Sequence, residues 1–279
     1  MFKIFLKAIF AGICIGIAGW GFLVDKTLGM FLFIFGLATV VSYEAKLYTG
    51  VSGFCQNLSD IKQLVAIILP GNIIGCLLVA LMSLFTTLPV HEAACGVLTS
   101  RLASGPLACG VLGIGCGILM TSAVAFAKKG KEFGYWVPLL FAVPLFIHCG
   151  FPHCIADAFY YLTAADYIIE QPQVLWCYLM TVIGNFVGCN VPRMNYFQKN
   201  ALKSSFFCKI FGHICGLTPS IYRTVVPSDA ALLFVRFLQE NLTNGAIPPK
   251  LRSLNAANMH FFTIKMHFFI KKFAYLHFL

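Results

Sequence analysis

The sequence predicts an all-α membrane protein of six spans, built as two three-span halves, with the second and fifth spans broken. Three observations lead there: a charge-poor composition, five or six runs long enough to cross a bilayer, and motifs that recur in register. Of 279 residues, 59% are hydrophobic and 11% charged, less than half the ~25% charge of a soluble domain. Mean hydropathy is +0.84. These figures exclude a disordered chain and argue against a soluble enzyme. Most of the twelve cysteines lie inside apolar runs, as at Cys14, Cys76, Cys116 and Cys177, where cysteine serves as a small hydrophobe.

A spanning helix needs ~20 largely apolar residues. The stretches 5–24, 30–43 and beyond, 64–88, 107–127, 135–161 and 174–191 qualify. The second runs into Leu47-Tyr48-Thr49-Gly50-Val51-Ser52-Gly53. The fifth holds Pro138 and Pro144, then Cys149-Gly150-Phe151-Pro152-His153. Glycine and proline interrupt the helical hydrogen-bond ladder. Irregular backbone at membrane depth survives only where protein buries it or a wet cavity meets it.

The halves share motifs. Gly71-Asn72-Ile73-Ile74-Gly75-Cys76 matches Gly184-Asn185-Phe186-Val187-Gly188-Cys189 at an offset of 113. The breaks near Thr49 and Pro152 are offset by 103, and Gly12-Ile13-Cys14-Ile15-Gly16 is set against Gly113–Gly117 at 101. Three spans per half is odd, so the halves must be inverted in the membrane, with a site near the midplane at the interrupted helices. Gly-x-x-x-Gly spacing is also common wherever membrane helices pack closely.

The net charge is +10. From Lys199 onward ten basic residues face only Asp229 and Glu240, which leaves +2 for residues 1–198. The expected division is a six-helix pore domain over 1–198 and a basic tail over 199–279, poorly ordered or lying on the membrane surface. With six spans, the positive-inside rule puts Lys3, Lys7, Lys62, Lys128, Lys129, Lys131 and Arg193 on the cytoplasmic side, with both termini. The basic excess then marks orientation, and no nucleic-acid partner is expected.

Few ionisable residues lie at the breaks. An ionisable group at membrane depth is costly and defaults to function; His153 is one, and imidazole exchanges protons near neutral pH. The alternative is a packed histidine bonded to a backbone carbonyl. Thr49 offers a hydroxyl at the first break, or caps a helix. Arg101 either draws anions to an outer mouth or reaches for lipid headgroups. Asn72 and Asn185 read as bonds across helices. His148-Cys149 and His153-Cys154 do not share a helical face. No Cys-x-x-Cys or His-Glu-x-x-His motif is present, so no metal or other cofactor is expected.

These residues resemble the formate/nitrite transporter family from about residue 5 to 193. The resemblance rests on Ala11-Gly12, Leu47-Tyr48-Thr49-Gly50, Gly71-Asn72-Ile73-Ile74-Gly75 and Gly130-Lys131. It continues through Gly150-Phe151-Pro152-His153-Cys154-Ile155-Ala156-Asp157 and Gly184-Asn185 to Gly188-Cys189-Asn190. It implies an aquaporin-like six-helix protomer, a homopentamer and one pore per protomer in the inner or plasma membrane. It implies small monovalent anions as substrates: formate, nitrite or hydrosulfide, with acetate or lactate beside them. His153 matches the family's central histidine and Thr49 the threonine that faces it. Leu47 and Tyr48 fall at a constriction, and Phe151 precedes the histidine by two. Arg101 stands where the family usually has lysine near the outer vestibule. The chain departs from the pattern at Pro152 (usually Glu), Asp157 (usually Asn) and Gly117 (usually Asn).

The expected mechanism is transport, not catalysis. Apolar constrictions reject hydrated ions because dehydrating charge is costly. His153 supplies a proton or a positive field between them, so transport is proton-linked. The rivals are a membrane-embedded metal or redox protein built on His148, His153, Cys154 and Asp157, and a non-conducting family member.

Overall fold

A computed structural model describes residues 1–129 and 136–197. Gly130, Lys131 and the basic tail lie outside the described residues. Every regular element among them is helical.

Helix α1, Phe2–Val24, is the first span. Asp25 stops it and starts the next helix, because its carboxylate accepts the Leu28 N–H at 2.8 Å and satisfies one of the orphan donors of a helix start. Helix α2, Lys26–Ser42, is followed by the short α3, Tyr48–Ser52. Helix α4, Leu58–Gln63, is capped by Asn57, whose side chain accepts the Asp60 N–H at 2.9 Å. A π-helical turn, Leu64–Ile68, leads into α5, Leu69–Ser83. The widened turn has a cause in Pro70, whose ring displaces the carbonyl four residues back.

Helix α6, Val90–Ser104, ends at Gly105. That residue holds φ +81, a conformation open to glycine, and Pro106 then opens α7, Pro106–Lys129, at the position where proline is best tolerated. The second half continues with α8, Trp136–His148, α9, Cys154–Thr163, α10, Ala165–Glu170, and α11, Val174–Phe197.

Four segments are long and apolar enough to cross a membrane: Phe2–Val24, Leu58–Ser83, Pro106–Lys128 and Val174–Pro192. Helix α2, with 17 residues, reaches about 25 Å at 1.5 Å per residue, short of a ~30 Å hydrocarbon core. Helix α8 is shorter still. Each continues past a break into a further helix, α3 or α9. Large apolar side chains point outward, among them Phe31, Phe35, Leu81, Phe141, Trp176 and Leu179. Water would not tolerate so much exposed apolar surface on a monomer; lipid and neighbouring protein do.

The long helices meet in two tight pairs. A Cβ on Gly12 of α1 would land on the Asn72 carbonyl of α5, and a Cβ on Gly117 of α7 would land on the Asn185 carbonyl of α11. Gly12 therefore corresponds to Gly117, an offset of 105, which corrects the 101 expected from the Gly-Ile-rich stretches. It also accounts for glycine at 117: a side chain there would part α7 from α11.

Both breaks begin alike. After α2, the Ala45 N–H donates to Val40 O at 2.9 Å and the Glu44 N–H to Val41 O at 3.2 Å. After α8, the Phe151 N–H donates to Phe146 O and the Gly150 N–H to Ile147 O, both at 2.9 Å. Each set is a Schellman ending, which requires a left-handed residue at its turn. Gly150 supplies it at φ +69, and Glu44 does so at φ +50. The breaks are thus offset by 106, where the sequence comparison gave 103. A left-handed conformation costs a non-glycine residue roughly 1–2 kcal/mol. Glu44 is exposed, and its 3.8 Å contact with Lys7 is a surface pair of little value. Glu44→Gly is therefore expected to stabilise the protein by about 1 kcal/mol, read as a higher unfolding midpoint in detergent; an unchanged or lower midpoint would count against the strain.

Candidate functional site: two helix breaks that meet

An interrupted helix frees backbone donors and acceptors that lipid cannot satisfy. One asparagine closes each break. The Asn72 side chain accepts the Tyr48 N–H and donates to the Lys46 and Ala8 carbonyls, all at 2.8 Å. The Asn185 side chain accepts the Cys154 N–H at 2.8 Å and donates to the Pro152 and Gly113 carbonyls, both at 3.0 Å. Both asparagines are fully buried. Two thiols add a second tie. Cys189 donates to the Thr49 carbonyl at 3.3 Å and Cys76 to the Ile155 carbonyl at 3.3 Å. The Gly-Asn-x-x-Gly-Cys motif is thus a six-residue bracket: each copy closes one break with its asparagine and ties down the other with its cysteine.

In this register His153 corresponds to Leu47. Leu47 is the N-cap of α3 and has no side-chain bond there; His153 is the N-cap of α9. The Nδ1 atom of His153 accepts the Ala156 N–H at 3.2 Å. That nitrogen therefore carries no proton, and the ring proton sits on Nε2. Nε2 lies 2.9 Å from Thr49 Oγ1 and donates to it. The tautomer follows from the bonding pattern. In this bonding pattern the imidazole is a neutral cap. Thr49 is not a cap: its hydroxyl accepts from His153, and no second partner holds its own hydrogen among the described residues.

Apolar groups enclose the contact. Leu47, Tyr48 and Thr49 are buried, as are Gly50 and Pro152. The Phe146 ring lies 5.7 Å from the His153 ring and 5.9 Å from Phe33. Phe151 is half-buried and packs on the bare face of Gly115. The Tyr48 hydroxyl donates to the Val182 carbonyl at 3.4 Å.

Arg101 has a role that neither sequence reading named. Its Nε and Nη2 donate to the two oxygens of Asp157, each at 3.1 Å, and Nη1 reaches the Gly150 carbonyl at 3.4 Å. Asp157 is 1% exposed. The pair is bidentate, the geometry that best suits guanidinium and carboxylate. It ties α6 to α9 and to the left-handed residue of the second break. The arginine and the aspartate, two departures from the resembled pattern, are one ion pair. Asp157 and the cysteine brackets were missed as site features; the signal available was a buried acid and a lone arginine of opposite charge.

His148 is exposed, while His153, Cys154 and Asp157 are buried, with the His153 and Asp157 side chains engaged as above. These four do not converge as a ligand set among the described residues, so the metal or redox rival lacks a centre there.

The sequence model of the family described as formate/nitrite transporter matches residues 1–194. The chain belongs to the formate/nitrite transporter family. It is a multi-pass membrane protein by that membership and by its apolar helices. Two solved structures share its fold. One is a pentameric formate channel with formate bound, at TM-score 0.60 and 24% identity, covering 72% of this chain and 97% of that one. The other is an FNT family ion channel, at TM-score 0.62 and 16% identity, covering 71% and 90%. No curated protein matches the chain.

Removing Arg101 would leave Asp157 buried without a counter-charge. Arg101→Met is expected to cost about 3–5 kcal/mol of stability. Adding Asp157→Asn, a neutral isostere, should restore most of that loss. Unfolding curves in detergent for the two singles and the double would measure the coupling; additive losses would contradict the pairing.

Proposed function

We propose that this protein is a pore for small monovalent anions, formate, nitrite or hydrosulfide, with one pore per protomer of a homopentamer. The observation that carries the reading is the 2.9 Å contact between Thr49 and His153, the point where the two breaks touch. Family membership supports transport over catalysis, and the pentameric formate channel of the same fold supports the assembly and the anion.

In this mechanism the anion reaches a short polar spot between apolar stretches provided by Leu47, Tyr48 and Phe151. Dehydration there is costly for a charge, so the anion takes up a proton from vestibule water and crosses as the neutral acid. The Nε2–H of His153 fixes the Thr49 oxygen as an acceptor. The Thr49 hydroxyl hydrogen then points to an oxygen or sulfur of the substrate. His153 acts as a positioning residue through Thr49. Arg101 stands beside this route as the holder of α9, and its charge is shared with Asp157.

Three contacts support cytoplasmic termini. At one end, Lys7 meets Glu44 at 3.8 Å, the Lys46 N–H donates to the Lys7 carbonyl, and Lys128 lies 3.7 Å over the Phe54 ring. Basic side chains thus gather where the positive-inside rule places the cytoplasm, in the inner or plasma membrane.

The test is uptake of formate, nitrite, hydrosulfide and acetate into proteoliposomes across a pH series. Uptake is expected to rise as external pH falls, because each proton accompanies an anion. Thr49→Val and His153→Asn are each expected to lower the rate about tenfold, equivalent to ~1.4 kcal/mol at the barrier. Unchanged rate and pH dependence in His153→Asn would overturn the role of the contact. No flux of any of the four anions would favour the non-conducting alternative.

A further inference from the structure

A second cluster of chemically able side chains lies away from the breaks. His91 and Cys95 stand one turn apart near the start of α6, and so share a face. Asp166, in the first turn of α10, comes up opposite them. His91 Nε2 is 2.9 Å from Asp166 Oδ1, and Cys95 Sγ is 3.9 Å from His91 Nε2. One nitrogen, one sulfur and one carboxylate oxygen fall within 4.8 Å of one another. No other trio of histidine, cysteine and acidic side chains does so among the described residues.

The donor types are those of a borderline divalent cation. Bonds of about 2.0–2.3 Å in a tetrahedral arrangement set ligand atoms roughly 3.3–3.7 Å apart. The trio needs only rotamer adjustments of about 1 Å to meet that spacing. His91 and Asp166 are exposed and Cys95 is half-buried, so an ion has access from water. Glu92 and Glu170 also act on the Cys95 thiol with negative charge, which favours a cation. As a bare ion pair, exposed His91 and Asp166 would contribute little to stability. Oxygen-only cations such as Ca²⁺ and Mg²⁺ are poorly served by a thiol and an imidazole.

We propose that His91, Cys95 and Asp166 bind a divalent transition-metal ion of the zinc class, with water at the fourth position. Cys95 loses its thiol proton to solvent as the metal–sulfur bond forms. The ion joins α6 to α10, which follows α9 directly in the chain. The same α6 carries Arg101, which grips Asp157 of α9, so the metal braces the helix that holds the second break.

The full-length protein in detergent is titrated with Co²⁺, which reports coordination by its spectrum. One equivalent should produce a thiolate-to-cobalt charge-transfer band, and Zn²⁺ should displace it. Cys95→Ser should abolish that band. His91→Gln should weaken Co²⁺ binding at least about tenfold. Cys149→Ser, at an exposed thiol outside the trio, should change neither. Absence of the band in the unmodified protein, or a band of undiminished strength in Cys95→Ser, would overturn the site. Because the readout is binding, it is independent of whether the protein conducts anions.

Discussion

The structure depends on the satisfaction of backbone polar groups at two helix breaks. In a bilayer those groups have no water to turn to, and each unsatisfied one costs several kcal/mol. Asn72 and Asn185 each satisfy two of them and donate as well to one carbonyl of a neighbouring helix. An asparagine suits this because one amide both accepts and donates. The bracket works only if α1 and α5, and α7 and α11, come close enough for the amide to reach the neighbouring helix. The bare glycines at 12, 75, 117 and 188 allow that approach. Packing and polar satisfaction are one constraint here, and the position of Thr49 and His153 follows from it.

The halves are built alike and differ where chemistry is proposed. Leu47 and His153 hold equivalent N-cap positions. The apolar cap leaves α3 without a side-chain bond. The imidazole caps α9 with one nitrogen and is left with the other to direct at Thr49. Two breaks held alike thus yield a single polar contact between two unlike faces. Arg101 and Asp157 add to the asymmetry. Their ion pair secures only the second break, where Pro152 has no N–H to donate and the left-handed Gly150 opens the turn.

Buried charge at this depth is tolerated because it is paired. A bidentate arginine meets both carboxylate oxygens, so neither group is left to be desolvated alone. Arginine suits the role better than lysine, since its planar fork also reaches the Gly150 carbonyl. The same helix α6 carries His91 and Cys95 toward solvent. Its two ends therefore serve different chemistry, one inside the protein and one at the water boundary.

By itself the sequence determined the membrane class, the apolar runs, the two interruptions and the Gly-Asn-x-x-Gly-Cys repeat. Composition and local backbone chemistry suffice for these, because a 20-residue apolar run or a Gly-Phe-Pro interruption acts wherever it is placed. Register was less legible. The Gly-Ile-rich stretches pair Gly12 with Gly113, whereas the helix contacts pair it with Gly117, since which glycine faces a carbonyl depends on the rotation of the helix. Glu44 at a left-handed turn carried no signal, because that position ordinarily selects glycine. The partner of Arg101, the tautomer of His153 and the His91–Cys95–Asp166 cluster were decided only by the tertiary structure. Each joins residues 56 or 75 positions apart, or turns on one bond to a backbone N–H, and no local pattern encodes such pairings.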